Sequence, residues 1–563
     1  MSMDLKNQSA AQGKLKQMER EAEERDAQRR AKKSGHPYLD VKKTPISIEA
    51  LALVPEEEAK NAKMAVLAIR HQKQEAVVVA FDPQSKTFLK AIEKLQAKNY
   101  KLDIRVASLS SLSHIWGFYK FVSKEAEHIT GSIEIAQKKL LELQKKLTSL
   151  EDVKNVLKEA SAGAAFTSDL LEIILAGALA NRASDIHLEP EEEFIKLRFR
   201  IDGLLHDVFS ELKKNIYLYI LSRVKLLSEL KLNVHDEAQD GRFAIKFPQK
   251  EIEVRVAVAP AEFGEVAVMR LLDPDVISLS LSDLGLREDD SVIVENELKK
   301  PNGMILNTGP TGSGKTTTLY AFLKHKQTPE VKIITIEDPI EYQLPGIEQT
   351  QVDEESGYTF QNGLRSLMRQ DPDIILVGEI RDKETAEISI QAALTGHLVF
   401  STVHANEAAG AIPRLLDLGV RSSSIGPALN LIIAQRLVRR LCGKCKTESK
   451  LSDDLARKIK KFVDNLPSRV SRDKFKKPSI YEPRGCSECN GVGFKGRVGI
   501  YELLLIGPEM EELIDKETNE ASLQEYALKR EMVTVQADGI LKAINGITTF
   551  EEIESATGPL IWE

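Results

Sequence analysis

Cysteine, long apolar runs and surplus positive charge are all scarce in this chain. Four cysteines in 563 residues are too few for a disulfide scaffold, and all fall into two Cys-x-x-Cys pairs, which suit a metal site in a reducing compartment. No stretch approaches about eighteen consecutive apolar residues, so we expect no transmembrane helix. The start, "MSMDLKNQSAAQGKLKQ", has no apolar core of the kind found in secretory signal peptides. These absences predict a cytoplasmic protein.

The charge balance argues against a dedicated nucleic-acid-binding protein. The formal net charge is −7, whereas such proteins usually carry a basic surplus or a basic stripe. No nucleic-acid ligand is therefore expected. Hydrophobic residues make up 42% and charged residues 29% of the chain, as in ordinary globular proteins, and the length predicts roughly three or four domains.

Composition and periodicity divide the chain into seven segments. They are a charged tail (1–35), a small α/β N-terminal domain (36–119), a helical heptad linker (120–160), an α+β middle domain (161–285), an α/β core (286–441), a tetracysteine insert (442–490) and a C-terminal strand followed by helices (491–563). Strand and helix patterns alternate around a glycine-rich loop in the core, as in a βαβ sheet. The predicted fold class is therefore α/β.

Two N-terminal segments lack a clear globular pattern. Residues 1–35 mix both charges and hold too few apolar side chains for a core, which predicts a frayed helix or a disordered tail. In the linker, apolar residues recur at steps of four and three, namely Ile129, Ile133, Ala136, Leu140, Leu143, Leu147 and Leu150. This spacing predicts one helix, either docked on its own domain or serving as a coiled-coil spacer.

The strongest single motif is the glycine-rich loop "GPTGSGKT" at residues 309–316. It fits G-x-x-x-x-G-K-[ST] and lies between the apolar strand "GMILN" and a helix-compatible run. Inward-turned backbone N–H groups and the helix N-terminus favour phosphate binding. Lys315 is expected to reach the β- and γ-phosphates and Thr316 to bind Mg²⁺. The predicted nucleotide-binding residues are Gly309, Pro310, Thr311, Gly312, Ser313, Gly314, Lys315, Thr316 and Thr317.

Two apolar strands end in acids. "DPDIILVGEIRD" has the pattern of a Walker B strand, with Asp373 at its start and Glu379 at its tip. Ligands of open parallel sheets bind at the carboxyl ends of strands, which favours Glu379 near the nucleotide, acting on Mg²⁺ or on a water. A helix-capping acid or a partner for Arg381 is the alternative. "IITIEDPIEY" ends in Glu337 and Asp338, and spacing alone does not choose between Glu337 and Glu379 as the general base.

Two histidines flank the next apolar strand. "LTGHLVFSTVHAN" places His397 and His404 at its opposite ends. A single histidine is more often structural than functional. In the sheet of a nucleoside triphosphatase the pair could instead sense the γ-phosphate or a subunit interface, and spacing leaves both interpretations open.

The cysteine pairs predict a structural zinc site. Their ligand residues are Cys442, Cys445, Cys486 and Cys489. Four thiolates with this spacing can close a tetrahedral Zn²⁺ site, although the gap between the pairs exceeds that of the usual zinc ribbon. A redox pair or free thiols are the alternatives. Between the pairs, "RKIKKF" and "SRDKFKK" form a basic arm that is either a solvated face or a contact for acidic lipid headgroups or a partner.

In this order, the motifs resemble one family: the secretion-superfamily ATPases of type II secretion and type IV pilus assembly. "ASDIHLEP", "LRFRIDG" and "QDGR" are similar to the signature of its middle domain. "TIEDPIEY" resembles its Asp box, "RQDPDIILVGEIRD" its Walker B strand and "TGHLVFSTVHAN" its His box. "EMVTVQADGILKAINGITTFEEI" resembles its C-terminal segment, so the similarity runs from about residue 160 to the C-terminus.

The resemblance implies a RecA-like P-loop core preceded by a PAS-like middle domain, in a homohexameric ring. It implies that hydrolysis of ATP with Mg²⁺ drives work on an inner-membrane platform protein and on pilus or secretion components at the cytoplasmic face. The protein would then be cytoplasmic and peripheral to the inner face of that membrane. Contact with acidic phospholipid is a further expectation.

The resemblance also assigns roles to individual residues. It implies that Glu337 is the general base, that Glu379 acts on Mg²⁺ and water, and that His397 and His404 belong to the site. Further arginines match family positions, namely Arg255 and Arg270 in the middle domain, which approach the phosphates, and Arg365 and Arg369 before the Walker B strand. Guanidinium groups there would neutralise charge on the transferred phosphoryl group.

The motifs leave more than one function to distinguish. Pilus retraction ATPases resemble this core but lack the long N-terminal domain and the tetracysteine insert, so pilus assembly is predicted, with type II secretion as the alternative. A DNA translocase is disfavoured by the acidic charge and by the lack of an evident basic and aromatic stretch. A regulatory protein that binds ATP without turnover is disfavoured because Lys315, Glu337 and Glu379 are intact.

Overall fold

The structure is a computed structural model whose contacts separate two compact units. They comprise residues 1–199 with 206–271, and residues 200–205 with 272–563. The described residues are 20, 22–39, 41, 44, 46, 48–70, 75–96, 100–121, 132–133, 137–162, 167–247, 250–277, 279–516 and 519–562.

A three-stranded sheet organises the N-terminal part of the first unit. Its strands are β1 (Met64–Arg70), β2 (Glu75–Ala80) and β3 (Lys101–Val106). Strand β2 pairs antiparallel with β1 and parallel with β3. The helices are α1 (22–34), α2 (Ile48–Ala52), α3 (Glu56–Asn61), α4 (Lys86–Gln96) and α5 (Leu109–Trp116). Helix α4 contributes residues spaced three and four apart to the core, namely Phe88, Ala91, Ile92 and Leu95.

Helix α1 is docked, so the prediction of a frayed helix or disordered tail is wrong for residues 22–34. Its buried positions are Ala27 and Ala31. Glu24 accepts hydrogen bonds from Ser108 Oγ at 2.6 Å and Ser111 Oγ at 2.8 Å. A carboxylate at the N-terminus of α5 is favoured by the helix dipole, and small alanines allow close approach, so few apolar residues suffice. The rest of the predicted tail, 1–19 and 21, lies outside the described residues.

The single heptad helix predicted for the linker is not observed. The described elements are β4 (Ser132–Ile133), α6 (Gln137–Lys146) and α7 (Leu150–Ala162). A capping box starts α7: Ser149 Oγ accepts from the Asp152 N–H at 3.1 Å, and Asp152 Oδ2 accepts from the Ser149 N–H at 2.9 Å. This local bonding ends the helical run after α6. Two members of the predicted seam lie outside the described residues, Ile129 and Ala136.

Helix α7 packs within its own unit rather than extending as a spacer. It lies against α8 (Thr167–Ala180), where a Cβ on Gly177 would come within 2.7 Å of Val153. Asn181 Nδ2 also donates to the Leu147 carbonyl at 3.0 Å. The described part of the linker therefore docks on its neighbour.

A seven-stranded sheet with the order β4-β8-β9-β10-β5-β6-β7 forms the middle part of the first unit. The remaining elements are β5 (Asp185–Pro190), β6 (Phe194–Ile201), β7 (Leu204–Lys213), α9 (Lys214–Leu227), β8 (Gln239–Lys246), β9 (Glu251–Ala261) and β10 (Gly264–Leu272). Burial alternates along β9, with Ile252, Val254, Val256 and Val258 buried. This two-residue period shows that one face of the sheet packs on a core.

The second unit contains a mostly parallel sheet with the order β13-β12-β14-β15-β11-β16-β19. The strands are β11 (Gly303–Thr308), β12 (Ile333–Glu337), β13 (Glu348–Gln351), β14 (Ile374–Val377), β15 (Leu398–Val403), β16 (Leu429–Leu441), β17 (Thr447–Glu448), β18 (Tyr481–Glu482) and β19 (Phe494–Leu505). Adjacent strands are parallel except for the antiparallel pair β16 and β19. Every residue of β11, β12, β14 and β15 is buried, as expected of a parallel sheet covered on both faces.

Helices flank this sheet and continue to the C-terminus. They are α10 (Glu288–Leu298), α11 (Lys315–Lys326), α12 (Phe360–Leu367), α13 (Lys383–Leu394), α14 (Ala411–Asp417), α15 (Ser422–Ala428), α16 (Asp453–Asp464), α17 (Pro508–Lys516), α18 (Glu520–Lys529), α19 (Val535–Ile544) and α20 (Phe550–Thr557). None of the helices within the described ranges combines the length and the apolar composition needed to cross a bilayer.

The cysteine insert is the connection between β16 and β19. Because β19 pairs with β16 over most of its length, the segment predicted to begin a separate C-terminal region also completes the core sheet. Within the insert, α16 packs through Ile459, Phe462 and Val463 in a cluster shared with α19. The insert is therefore a long hairpin connection anchored on the C-terminal helices.

Candidate active site

The loop 309–314 joins β11 to α11 through left-handed backbone. Gly309, Gly312 and Gly314 have φ values of 143°, 80° and 89°, which side chains disfavour. A Cβ on Gly309 would also lie 2.4 Å from the Gln435 carbonyl oxygen. The loop leads into the N-terminus of α11, where unpaired N–H groups and the helix dipole favour an anion.

Lys315, the first residue of α11, keeps its ammonium inside this loop. Nζ donates to the carbonyl oxygens of Gly309 at 2.8 Å and Pro310 at 3.1 Å. Burial lowers the pKa of Lys315, and the negative charge of Glu379 acts in the opposite direction. Ser313 Oγ is buried and has no hydrogen-bond partner within the described ranges. A phosphate group would supply that missing partner, so the loop residues fit ATP.

Gln435 on β16 forms the floor of the loop, and motif analysis missed it. Its side chain is almost fully buried, and Oε1 accepts from Asn307 Nδ2 at 3.0 Å and from Thr318 Oγ1 at 2.8 Å. These contacts join the strand before the loop to the helix after it. The available signal was a glutamine directly after the apolar run "LIIA".

Glu337 ends β12 and is buried, with 3% of its surface exposed. Oε1 accepts from Thr335 Oγ1 at 2.6 Å and from Gln349 Nε2 at 3.2 Å, and Oε2 accepts from the Tyr320 hydroxyl. Burial raises the pKa of Glu337, although these donors oppose the shift. A carboxylate with a raised pKa beside the loop helix suits proton abstraction.

Glu379 follows β14 at the same carboxyl edge of the sheet. Its carboxylate contacts Arg381, and Oε2 lies 3.6 Å from His404 Nε2. Strand β15 pairs in parallel with both β14 and β11, so Glu379 after β14 and the loop after β11 leave the sheet at the same edge. The structure therefore brings Lys315, Glu379 and His404 together, and the Arg381 contact coexists with that placement.

Threonine side chains hold this edge in register. Thr308 Oγ1 accepts from the Ala405 N–H at 2.8 Å and donates to the Ala405 carbonyl at 2.9 Å. Thr402 Oγ1 donates to the Gly378 carbonyl at 2.9 Å. The segments that carry the histidine and the acid are thus fixed to β11 and β15.

His397 and Asp373 lie at the opposite edge of the sheet. His397 Nδ1 lies 3.0 Å from the Ala392 carbonyl oxygen, and Asp373 Oδ2 accepts from the Lys332 N–H at 2.7 Å. Strand β15 separates the two histidines by about 20 Å. His397 therefore does not join His404 at the loop of its own chain.

The predicted arginines divide between the two units. Arg255 lies on β9, and Arg270, on β10, donates through Nε to Asp185 Oδ1 at 2.9 Å. Arg365 lies in the last turn of α12 and Arg369 in the 3₁₀ turn Met368–Gln370 that follows it, and both are exposed. Arg255 and Arg270 belong to the first unit, whereas the loop 309–314 belongs to the second. Their roles toward the nucleotide therefore stay predictions.

The four cysteines converge where β16 ends and β19 begins. Their Sγ atoms lie within 4.8 Å of one another, with distances of 3.9 Å for Cys442–Cys486 and 3.7 Å for Cys445–Cys489. Zn–S bonds of about 2.3 Å in a tetrahedron place sulfurs about 3.8 Å apart, so these thiols fit Zn²⁺. Because β16 and β19 pair antiparallel, the end of one strand lies beside the start of the other. The two Cys-x-x-Cys pairs therefore meet despite the long stretch of sequence between them.

A phosphate-binding loop on a parallel sheet, with two acids and a histidine at the same edge, defines a P-loop ATPase with a RecA-like core. The sequence profile of the family described as "Type II/IV secretion system protein" matches residues 160–555. The chain belongs to this family, which confirms the resemblance carried by the sequence motifs.

Relatives extend the similarity beyond the core. The chain is 37% identical over 532 residues to the "Type IV pilus assembly ATPase PilB" of Myxococcus xanthus, covering 94% of this chain and 90% of that protein. It is 42% identical over 388 residues to the "Type II secretion system protein E" of Pseudomonas aeruginosa, covering 69% of this chain and 75% of that protein. The solved structure of the Legionella pneumophila ATPase DotB matches with a TM-score of 0.51 and 21% identity, covering 70% of this chain and 96% of that chain, which supports the fold.

Proposed function

We propose that this protein is a hexameric cytoplasmic ATPase whose ATP hydrolysis drives type IV pilus assembly through an inner-membrane platform protein. The observation that carries the proposal is that Lys315, Glu379 and His404 all follow strands that end at the same carboxyl edge of the sheet, where His404 lies beside Glu379. ATP would bind at the loop, and the acids would activate the water that hydrolyses it. This hydrolysis would supply the energy. The family to which the chain belongs supplies the type of work.

The residues at the edge divide the chemistry. Lys315 would bind the β- and γ-phosphates, while Thr316 and Glu379 would hold Mg²⁺, which when bound neutralises charge on the phosphate oxygens. Glu337 would take a proton from the attacking water. His404, facing Glu379, would respond to the γ-phosphate.

The remaining predicted groups suit a ring. His397 lies at the edge remote from its own loop, and Arg255 and Arg270 belong to the other unit. A role for His397 in hydrolysis would be at the site of a neighbouring subunit, and the roles of Arg255 and Arg270 stay predictions.

The extent of similarity favours pilus assembly over type II secretion. Alignment with the pilus assembly relative spans 94% of the chain, whereas alignment with the secretion relative spans 69%. The N-terminal region is thus shared more fully with the former. A strain lacking its own pilus assembly ATPase should regain surface pili when it expresses this chain, and restored secretion without pili would favour the alternative.

The decisive test of the chemistry is Glu337→Gln. This change removes the base but keeps shape, so ATP binding should persist while turnover falls by about a hundredfold or more. Asp373→Asn, an acid at the opposite edge, is the matched control and should keep near wild-type turnover. Wild-type turnover in Glu337→Gln would exclude Glu337 as the base and leave Glu379 as the next candidate.

The same turnover assay can test whether the ATPase works at a membrane or on DNA. Turnover would be measured with acidic phospholipid vesicles and, separately, with single- and double-stranded DNA. Stimulation by vesicles alone supports work at a membrane face, where the exposed lysines of the basic arm would meet the headgroups. Stimulation by DNA alone would favour a translocase.

A further inference from the structure

Tyr320 is a fully buried side chain to which the roles above assign no function. It lies in α11, the helix that begins at Lys315, and only 1% of its surface is exposed. Its ring belongs to the core cluster, yet its hydroxyl donates to Glu337 Oε2. One helix therefore carries both the phosphate-binding lysine and a hydrogen-bond donor to the proposed base.

The contacts of Glu337 distinguish its two oxygens. A carboxylate offers about four acceptor positions, two on each oxygen. Oε1 accepts from Thr335 and Gln349, which fills both of its positions. Among the described residues, Oε2 accepts from Tyr320 alone. Oε2 is therefore the oxygen with an acceptor position left for a water.

The environment of Tyr320 fixes it as a donor. An ionised carboxylate only accepts hydrogen bonds, so the Tyr320 hydroxyl must be the donor in its contact with Glu337 Oε2. Burial, together with the charge of Glu337, raises the pKa of Tyr320, so the phenol stays protonated throughout the neutral range. Its hydrogen bond favours the ionised form of the carboxylate.

We propose that Tyr320 is a positioning residue for ATP hydrolysis, whose hydroxyl orients Glu337 so that Oε2 accepts the proton of the attacking water. In that step a water O–H bond breaks and the proton passes to Oε2. The water oxygen bonds to the γ-phosphorus, and the bond to the departing ADP oxygen breaks. The inference rests on the proposed role of Glu337 as the base.

The test is the pH dependence of the single-turnover hydrolysis rate in Tyr320→Phe. The ring and its packing remain, but the ionised carboxylate loses a donor. We expect the acid limb of the profile to move upward by about one to two pH units, with the rate recovering at high pH. A merely structural tyrosine would lower the melting temperature and leave the limb in place, which would overturn the inference.

Two further variants keep the test decisive. Tyr501→Phe is the matched control, because this equally buried hydroxyl donates to the Leu284 carbonyl at 2.9 Å and not to Glu337. The acid limb of the pH profile of this variant should therefore stay where it is in the wild-type protein. A 3-fluorotyrosine at position 320 keeps the shape and is a stronger donor, so it should move the limb downward. If Tyr320→Phe does not fold, an unmoved limb with 3-fluorotyrosine overturns the inference.

The outcome can be separated from that of the proposed function. Sustained turnover in Glu337→Gln removes the base assignment, and the role of Tyr320 with it. Lost turnover in Glu337→Gln combined with an unmoved limb in Tyr320→Phe overturns the role of Tyr320 alone.

Discussion

Two regions of the second unit are held together by different means. We call them the nucleotide edge, which comprises the loop 309–314 with Glu337, Glu379 and His404, and the cysteine knuckle, which comprises Cys442, Cys445, Cys486 and Cys489. At the edge, protein donors and acceptors fix the groups that we propose carry the chemistry, with Gln435 beneath the loop and Tyr320 and Thr335 donating to Glu337. At the knuckle, four sulfurs approach one another, and backbone N–H groups of Cys486 and Gly493 donate to a single sulfur. The edge is organised by the fold, whereas the knuckle has the geometry that a metal ion requires.

This difference predicts which of the two regions needs its ligand in order to keep its structure. Thiolates at such distances repel one another unless a cation lies between them, so the knuckle should lose its structure with its metal. The edge should keep its structure without ATP, because its hydrogen bonds are internal.

The largest effect should follow from breaking ligand binding at the edge. Lys315→Ala removes the ammonium proposed to reach the phosphates, and turnover should fall by about a thousandfold. Phosphate release measures this loss, while metal analysis should still find one zinc per chain. Lys332→Ala, a lysine at the opposite edge, is the control. If Lys315→Ala kept more than about a tenth of wild-type turnover, the loop would not be the catalytic nucleotide site.

How far the sequence predicts the edge depends on whether a group belongs to a local motif. The loop and Glu379 were predictable because a few consecutive residues define each turn and strand end. Gln435 and Tyr320 were not, because their partners are brought close only by the order of strands in the sheet. Long-range contacts between side chains leave no local pattern.

The second-largest effect should follow from removing one cysteine of the knuckle. Cys442→Ser removes one of the four proposed zinc ligands, so bound zinc should be lost and the insert destabilised by about 3 kcal/mol or more. Melting temperature and limited proteolysis between the two cysteine pairs measure this effect, and ATP binding should persist. Ser487→Ala, beside a ligand but not one itself, is the control. Full zinc content or unchanged proteolysis in Cys442→Ser would contradict a structural metal site.

The N-terminal segments show where sequence patterns mislead. The heptad spacing across the linker was genuine, but Ser149 and Asp152 form a capping box that restarts the helix, and this local signal outweighs the periodicity. Helix α1 has few apolar residues, yet Glu24 binds serine hydroxyls at another helix N-terminus. That contact depends on tertiary structure, which composition does not report.

The smallest expected effect concerns Glu502, which links the two regions because it lies on β19, the strand that leaves the knuckle. Oε1 accepts from the Ala408 N–H at 2.9 Å, in the segment that follows His404, and Oε2 accepts from the Val535 N–H at 3.3 Å. Burial raises the pKa of Glu502 from 4.5 to about 7. The carboxyl thus binds a proton more tightly in the folded protein than in the unfolded chain.

Stability from Glu502 is therefore fully present below about pH 4.5 and is lost as pH rises through about 7, by about 2–3 kcal/mol. Glu502→Gln, which is always neutral, should lack this dependence. From pH 5 to 8 the melting temperature should fall in the wild-type protein and change little in the variant, whose curve is offset by a constant amount because its amide nitrogen cannot accept the second backbone N–H bond. Parallel curves would mean that the carboxyl titrates alike in both states. The link between knuckle strand and nucleotide edge would then be independent of pH.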